Sequence, residues 1–273
     1  MSCILHLSDP HFGTEQAPVM DALERFAHEL RPDLVLLSGD ITQRARRAQF
    51  AAARAFADRL GAPALLAVPG NHDIPLFNLA ARLFAPYGNY TRAFGAELEP
   101  QFADRDLLVV AVNTTRPARH KNGVVSEAQI ERVAARLAQA QAGQLRVVLV
   151  HQPIAVLRPE DEHDRLRGAE AAIEAWSAAG ADLVVGGHIH LPYVLALHER
   201  APGLPRPLWA VQAGTSVSSR VRGAVPNSVN VIRWSGDLPA GVCLVERWDH
   251  AAAAQAFERV AVHELRPGVP VGA

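Results

Sequence analysis

The stretch "LLAVPGNHDIP", residues 65–75, is an apolar run that stops at a Pro-Gly pair and is followed at once by Asn71, His72 and Asp73. A turn needs Gly, Asn or Pro, but it has no use for a His followed by an Asp. The pattern therefore indicates a buried strand whose carboxyl end carries polar side chains for a chemical purpose.

Further apolar runs end in polar residues in the same way: "CILHLSD" (3–9), "LVLLSGD" (34–40), "LLVVAVNT" (107–114), "RVVLVHQ" (146–152) and "DLVVGGH" (182–188). Several of these runs are continuous rather than alternating, which is typical of strands covered on both faces. Helical patterns such as "SEAQIERVAARLAQAQAG" (126–143) separate most of them. This alternation predicts an α/β fold with a largely parallel sheet.

The sequence pattern changes after residue 190, where short β-like runs follow one another without long helical patterns between them. We expect these runs to form a second, more antiparallel sheet. We therefore predict a single domain over residues 1–273, with a motif-bearing half (1–190) and a second-sheet half (191–265). Two irregular, charged segments, 115–123 and 158–168, stand apart, and long polar connections of this kind are often lids or binding loops.

Composition narrows the class of protein. The chain has 27 basic and 28 acidic residues, and this balance does not suggest a protein that coats a nucleic-acid polymer. Cys3 and Cys243 lie in apolar runs and are expected to be buried free thiols. We see neither a membrane-spanning segment nor a signal-peptide pattern, so we expect a cytoplasmic protein without a membrane partner.

The polar residues at the strand ends form a recognisable set. Ligands of an open α/β sheet bind outside the carboxyl ends of its strands, and the residues found there are Asp9, His11, Asp40, Asn71, His151, His188 and His190. Carboxylate and imidazole side chains favour divalent transition metals such as Mn, Fe or Zn. The set is too large for one ion and about right for two ions that share a carboxylate.

Five motifs in order carry a resemblance to a known family: "SDPHFG" (8–13), "SGD" (38–40), "GNHD" (70–73), "VHQP" (150–153) and "GGHIH" (186–190). With these motifs the chain resembles the calcineurin-like metallophosphoesterase superfamily, and in particular bacterial class III cyclic-nucleotide phosphodiesterases. The resemblance implies a four-layer α-β-β-α sandwich of two mixed sheets flanked by helices. It also implies a centre of two divalent metal ions, with Mn, Fe and Zn as open alternatives.

The resemblance further implies a role for each motif residue. The first metal would be held by Asp9, His11 and His190, the second by Asn71, His151 and His188, and Asp40 would bridge the two. His72 would face the substrate as leaving-group acid or charge stabiliser, and Asp73 would orient it. The charges agree with this division, because an amide at position 71 supplies an oxygen without cancelling the positive charge that attracts phosphate.

The expected reaction is attack of a metal-bridging hydroxide on a small phosphodiester, with a 3′,5′-cyclic nucleotide as the leading example. Open alternatives are a phosphomonoesterase, a nucleotide pyrophosphohydrolase, a DNA-repair nuclease and a non-catalytic scaffold. Asn113, at the end of a strand, and Arg222, in a glycine-bounded loop, are candidates for substrate contacts. A homodimer is an open alternative to a monomer.

Overall fold

The structure is a computed structural model, and it describes residues 2–119, 121–235 and 241–268. Its strands are β1 (Ser2–Leu7), β2 (Leu34–Leu37), β3 (Ala64–Ala67), β4 (Gln101–Ala103), β5 (Leu107–Ala111), β6 (Leu145–Leu149), β7 (Leu183–Gly186), β8 (Tyr193–Ala196), β9 (Trp209–Gln212), β10 (Ser228–Trp234), β11 (Cys243–Ala251) and β12 (Ala256–Leu265). Its α-helices are α1 (Ala17–Leu30), α2 (Arg47–Arg59), α3 (Leu79–Phe84), α4 (Gly88–Phe94), α5 (Glu127–Leu137), α6 (Ala169–Ala178) and α7 (Leu197–Arg200). Short 3₁₀ turns lie at Asn71–Asp73 and Pro159–Asp164.

The described strands form two mixed sheets of six strands each. The first has the order β12-β11-β10-β1-β2-β3, with β1, β2 and β3 parallel to one another and β10 antiparallel to β1. The second has the order β4-β5-β6-β7-β9-β8, with β5, β6, β7 and β9 parallel and an antiparallel strand at each edge. The prediction of two mixed sheets flanked by helices is confirmed.

The expected division of the chain between the two sheets is wrong. The strands after residue 190 do not form a sheet of their own, because β8 and β9 extend the second sheet while β10, β11 and β12 extend the first. The strands before residue 190 are likewise shared, with β1–β3 in one sheet and β4–β7 in the other. The physical reason is that each sheet exposes an edge after its parallel strands, and the later strands pair with those edges.

Three apolar layers hold the four structural layers together. Adjacent residues of a strand point to opposite faces, so that Ile4 joins the layer between the two sheets while Leu5 packs towards the helices. In the second sheet, Val109 lies in that same central layer, whereas Val110 packs towards helices α5 and α6. This packing explains why the strand sequences are continuously apolar.

Cys3 and Cys243 are buried free thiols, as predicted. Within the described residues, no helix has both the length and the apolar character that crossing a bilayer would require.

Candidate metal centre

The loops after β1, β2 and β3 of the first sheet meet the loops after β6 and β7 of the second sheet. Asp9 and His11 follow β1, Asp40 follows β2, and Asn71 begins the 3₁₀ turn after β3. The second sheet contributes residues that follow β6 and β7, namely His151, His188 and His190. All seven residues of the predicted ligand set therefore lie at one place, where the carboxyl ends of parallel strands from both sheets converge.

These residues fall into two groups that could each hold a metal ion. Asp9, His11 and His190 form one group, and Asp40, His151 and His188 form the other, with the candidate ligand atoms of each group within 4.8 Å of one another. A third group links His11, Asp40 and His72. The third group shares His11 with the first and Asp40 with the second, so the first two groups lie side by side and suit two neighbouring cations rather than one.

Asp40 lies between the two groups. Its Oδ2 is 3.8 Å from Nε2 of His11, and its Oδ1 is 3.3 Å from Nε2 of His151. Burial would raise the pKa of this carboxyl, but the charge of His151 and of other neighbouring imidazoles holds that pKa well below its ordinary value. An ionised carboxylate with one oxygen towards each group is the arrangement that a bridging ligand requires.

One carboxylate oxygen of Asp9 is hydrogen-bonded and the other is not. Its Oδ2 accepts hydrogen bonds from the Ser8 hydroxyl at 2.5 Å and from the His188 backbone N–H at 2.8 Å. Its buried Oδ1 has no hydrogen-bond partner and lies 3.3 Å from Nε2 of His190. A buried carboxylate oxygen without a donor is costly in an apolar interior, and a cation would satisfy it.

Two of the imidazoles are oriented by hydrogen bonds to backbone carbonyls. His151 donates from Nδ1 to the Ser38 carbonyl at 2.7 Å, and His190 donates from Nδ1 to the Arg220 carbonyl at 2.5 Å. In both rings Nε2 is thereby left to face the carboxylates, which is the usual support of a metal-binding histidine. Nδ1 of His11 and Nδ1 of His188 are buried without a hydrogen-bond partner.

The ionisation of the imidazoles also fits cation binding. Burial lowers the pKa of His11 to about 3, so this ring is neutral and can act as a ligand. Burial opposes a charge on His151 as well, but the neighbouring Asp40 carboxylate raises the pKa of His151 to about 9. Cation binding at His151 would therefore displace a proton.

The backbone is strained at the same residues. Five of the non-glycine residues with positive φ in the described chain belong to the predicted ligand set: Asp9 (49°), His11 (43°), Asp40 (46°), His188 (75°) and His190 (55°). Each such conformation costs about 1–3 kcal/mol and tends to occur at functional sites. The bend at His188 and His190 also explains why two residues that would point to opposite faces of a regular strand both reach the centre.

Two glycines allow the loops to approach this closely. A Cβ at position 70 would lie 2.0 Å from the backbone N of Asp40, and a Cβ at position 187 would lie 1.7 Å from Oγ of Ser8. Only glycine leaves room for the loop after β2 beside Gly70 and for the loop after β1 beside Gly187.

His72 lies beside the two groups, and its ring is positioned differently from our expectation. Its Nδ1 is 3.1 Å from the Gln43 carbonyl, and because a carbonyl can only accept, Nδ1 carries the proton. Nε2 faces the cavity and accepts from the Arg220 guanidinium at 3.3 Å. The ring is thus oriented by a backbone carbonyl.

The predicted role of Asp73 in orienting His72 is corrected by this geometry. The buried Asp73 carboxylate accepts hydrogen bonds from the backbone N–H groups of Gly70, Ile41 and Thr42, and from the Thr42 hydroxyl, at 2.8–3.0 Å. Burial and the charge of Asp40 raise the pKa of Asp73 to about 7. Asp73 joins the loops after β2 and β3, and none of the hydrogen bonds of its side chain is to the imidazole of His72.

A cavity of about 540 Å³ opens over the centre, and the two irregular segments form one of its walls. Lys121 of the first segment pairs with Asp164 of the second at 3.2 Å, and Oδ1 of Asp164 lies 3.5 Å from Nε2 of His188. Lys121, Asp161 and Asp164 all line the cavity. These segments are therefore part of the site, although His120 of the first one lies outside the described residues.

Of the two residues predicted to contact the substrate, Arg222 and Asn113, one lies at the cavity and the other does not. Arg222 does line the cavity, but its guanidinium is committed to Asp161 at 2.7 Å and to the Ile189 carbonyl at 3.2 Å. Asn113 is not at the cavity, because its side-chain oxygen accepts from the backbone N–H and hydroxyl of Thr115 in a local turn. The structure therefore does not bring Asn113 to this cavity, and its substrate contact stays a prediction.

Sequence reasoning underrated Arg220, Asp161 and Asp164. Arg220 follows a short Ser-rich run and Asp161 and Asp164 lie in a charged loop, so no local pattern separated them from solvated neighbours. The irregularity of segment 158–168 was the available signal for Asp161 and Asp164, and the glycine-bounded loop that also contains Arg222 was the available signal for Arg220.

Comparisons with known proteins agree with this architecture. A family model described as calcineurin-like phosphoesterase matches residues 4–192. The fold is similar to that of a dimetal phosphatase from Danio rerio (13% identity, 98% of this chain and 99% of that chain covered, TM-score 0.65). It is also similar to a purple acid phosphatase from yellow lupin (13% identity, 97% and 53% covered, TM-score 0.72) and to vacuolar protein sorting 29 from Cryptosporidium parvum (12% identity, 97% and 98% covered, TM-score 0.51). At such identities the similarity concerns the fold alone, and no curated protein sequence matches the chain significantly.

Proposed function

Because this chain belongs to the calcineurin-like phosphoesterase family, we propose that it hydrolyses a small phosphodiester at a centre for two divalent cations. The observation that supports this proposal is the convergence on the Asp40 carboxylate of two groups that could each hold a metal ion, with the His72 imidazole beside them. Asp9, His11 and His190 would hold one cation, Asn71, His151 and His188 would hold the other, and Asp40 would be shared by both. Two cations held there would supply Lewis-acid activation of water and would neutralise charge on phosphate oxygens.

The residues around the centre bind and orient the phosphate. The Arg220 guanidinium lies beside His72, and its hydrogen-bond partners there are neutral: the Gln43 side-chain oxygen at 2.8 Å and Nε2 of His72 at 3.3 Å. When Arg220 contacts a phosphate oxygen instead, Nε2 of His72 is free to take up a proton from solvent and to donate it to the departing alkoxide, which leaves as the alcohol. The hydrogen bond from Nδ1 to Gln43 keeps the ring in place for this exchange.

The balance of charge supports a diester with a single negative charge. Lys121 and Arg222 line the cavity but are neutralised by Asp164 and Asp161. Among the described residues of the cavity wall, Arg220 is therefore the guanidinium or ammonium group without a carboxylate partner. The cavity volume lies in the range typical of small-molecule sites, which is compatible with a cyclic nucleotide.

The test of this proposal compares bis-p-nitrophenyl phosphate with p-nitrophenyl phosphate on protein loaded separately with Mn, Fe or Zn. We expect kcat/KM for the diester to exceed that for the monoester by at least about tenfold, a difference of about 1.4 kcal/mol in transition-state stabilisation. A panel of 3′,5′-cyclic nucleotides then identifies the base. A preference for the monoester would instead assign a phosphomonoesterase, and inactivity with every metal would contradict the proposal.

Replacing Arg220 tests its contact with the phosphate. A charge-assisted hydrogen bond contributes about 1.5–3 kcal/mol, so we expect Arg220→Ala to lower kcat/KM by roughly tenfold to a hundredfold. Arg220→Lys keeps the charge and should recover part of the loss. The backbone carbonyl that holds His190 is retained in both variants, so metal content should not change, and an unaltered kcat/KM in Arg220→Ala would exclude the contact.

A further inference from the structure

The segment after His72 carries an apolar surface that the proposed reaction does not use. Phe77, Leu79, Leu83 and Phe84, which we call the apolar patch, have exposed fractions of 73–83%. They lie on and just before helix α3, none of whose residues is buried. Large side chains exposed together on a folded domain usually mark an interaction surface.

Arginines surround this patch, and they have no acidic partners. The Arg44 guanidinium lies 5.4 Å from the centre of the Phe77 ring, and Arg82 donates to the carbonyls of Pro75 and Arg119. Within the described residues, no ion pair involves Arg44, Arg46 or Arg82. The two chain segments that build this region, 41–57 and 74–96, contain arginines but neither Asp nor Glu.

The patch adjoins the cavity of the candidate metal centre. Arg44 directly follows Gln43, whose carbonyl orients His72. On the other side, Arg82 of α3 reaches the carbonyl of Arg119, two residues before the cavity-lining Lys121. A partner that docks on the patch would therefore contact segments that also reach the residues of the candidate metal centre.

We propose that the apolar patch and the arginines around it dock on the surface of an anionic lipid bilayer. Apolar side chains that enter the acyl boundary, with basic side chains at the level of anionic headgroups, are the combination that holds peripheral proteins at such a surface. Self-association fits less well, because a symmetric contact pairs the patch with the same patch of a second copy, whose segments 41–57 and 74–96 offer no carboxylate to Arg44 or Arg46. Docking involves no membrane-spanning helix, so it is compatible with the absence of such a helix from the described residues.

The experiment is co-sedimentation of the full chain with vesicles. One set contains phosphatidylglycerol and phosphatidylcholine in equal parts, and the other contains phosphatidylcholine alone. We expect binding to the anionic vesicles, weaker binding to the neutral ones, and weakening as salt is raised, because salt screens exposed charges. This readout does not depend on catalysis, so it stands or falls separately from the proposed function.

Variants assign the binding to the patch. We expect the double variant Leu83→Ser/Phe84→Ser to bind anionic vesicles at least about tenfold more weakly, given the transfer free energy of two large apolar side chains. Arg44→Ala and Arg46→Ala should each weaken binding by roughly fivefold. The matched control is Val260→Ser/Val262→Ser, which alters two exposed apolar residues of β12 at 54% and 50% exposure and should bind like the parent chain.

Several results would overturn the proposal. These are absence of binding to anionic vesicles, an equal loss in the β12 control, or a dimer in sedimentation analysis that Leu83→Ser/Phe84→Ser abolishes. The last result would assign the patch to a second copy of the chain. Because the altered side chains are exposed, the thermal unfolding midpoint of each variant should match that of the parent chain. An unchanged midpoint shows that weaker vesicle binding is not caused by unfolding.

Discussion

Asp40→Asn is expected to remove bound metal and phosphoesterase activity together. The Asn oxygen can still accept the His72 backbone N–H that Oδ1 of Asp40 accepts at 2.8 Å. The new amide nitrogen then takes the place of Oδ2, which faces His11. A nitrogen with two hydrogens cannot act as a ligand there, and the charge that attracts both cations is lost. Altering a residue that only supports a metal ligand costs about 10–100-fold, so losing a ligand shared by both cations should exceed that range.

Two measurements separate this loss from unfolding. Elemental analysis of the purified variant should show little bound Mn, Fe or Zn. Adding metal should raise the unfolding temperature of the parent chain, because a ligand that binds only the folded state stabilises it, and this rise should vanish in Asp40→Asn. Asp58→Asn is the matched control, since Asp58 is an exposed partner of Arg54 on α2. If Asp40→Asn kept full metal and activity, the dinuclear assignment would be wrong.

The sequence was sufficient to predict which polar residues lie together at the ends of the strands, because parallel strands place their carboxyl ends at a common edge. Each apolar run is followed directly by its polar residue, so the residues that meet in space, such as Asp9, Asp40 and Asn71, could be found from local pattern alone. The glycines next to them, Gly39 and Gly70, indicated tight turns.

The sheet to which each strand belongs could not be predicted in the same way. β1–β3 and β5–β7 have the same continuous apolar pattern, and nothing local distinguishes a strand of one sheet from a strand of the other. Pairing between β1 and β10, which are separated by more than two hundred residues, depends on which edge is free once the parallel strands have formed.

The orientation of the side chains around His72 also depends on distant contacts. The sequence around Asp73 does not identify the partners of its carboxylate. Only the folded chain shows that this carboxylate accepts hydrogen bonds from the backbone N–H groups of Ile41 and Thr42. Arg220 reaches Nε2 of His72 across 148 positions of sequence. Such pairs leave no periodic signal, so spacing alone could not rank Arg220 above Arg222.

His72→Ala is expected to lower turnover by about 10²–10⁴-fold, the usual contribution of a general acid or base, while metal content stays unchanged. The substitution leaves the backbone N–H that supports Asp40 in place. His72 also belongs to one of the three possible metal-binding groups, together with His11 and Asp40. The metal-induced rise in unfolding temperature therefore decides between the two roles: a variant that keeps this rise has lost a reacting group, whereas a variant that loses it has lost a ligand.

A comparison of substrates with different leaving groups then identifies the role of the His72 imidazole. A p-nitrophenolate departs with little need of a proton, whereas the alkoxide of a sugar is a poor leaving group that must be protonated. If Nε2 of His72 donates that proton, His72→Ala should slow hydrolysis of a cyclic nucleotide far more than that of bis-p-nitrophenyl phosphate. An equal loss on both substrates would instead show that His72 stabilises charge on the phosphate, as Arg220 at 3.3 Å from its ring is placed to do.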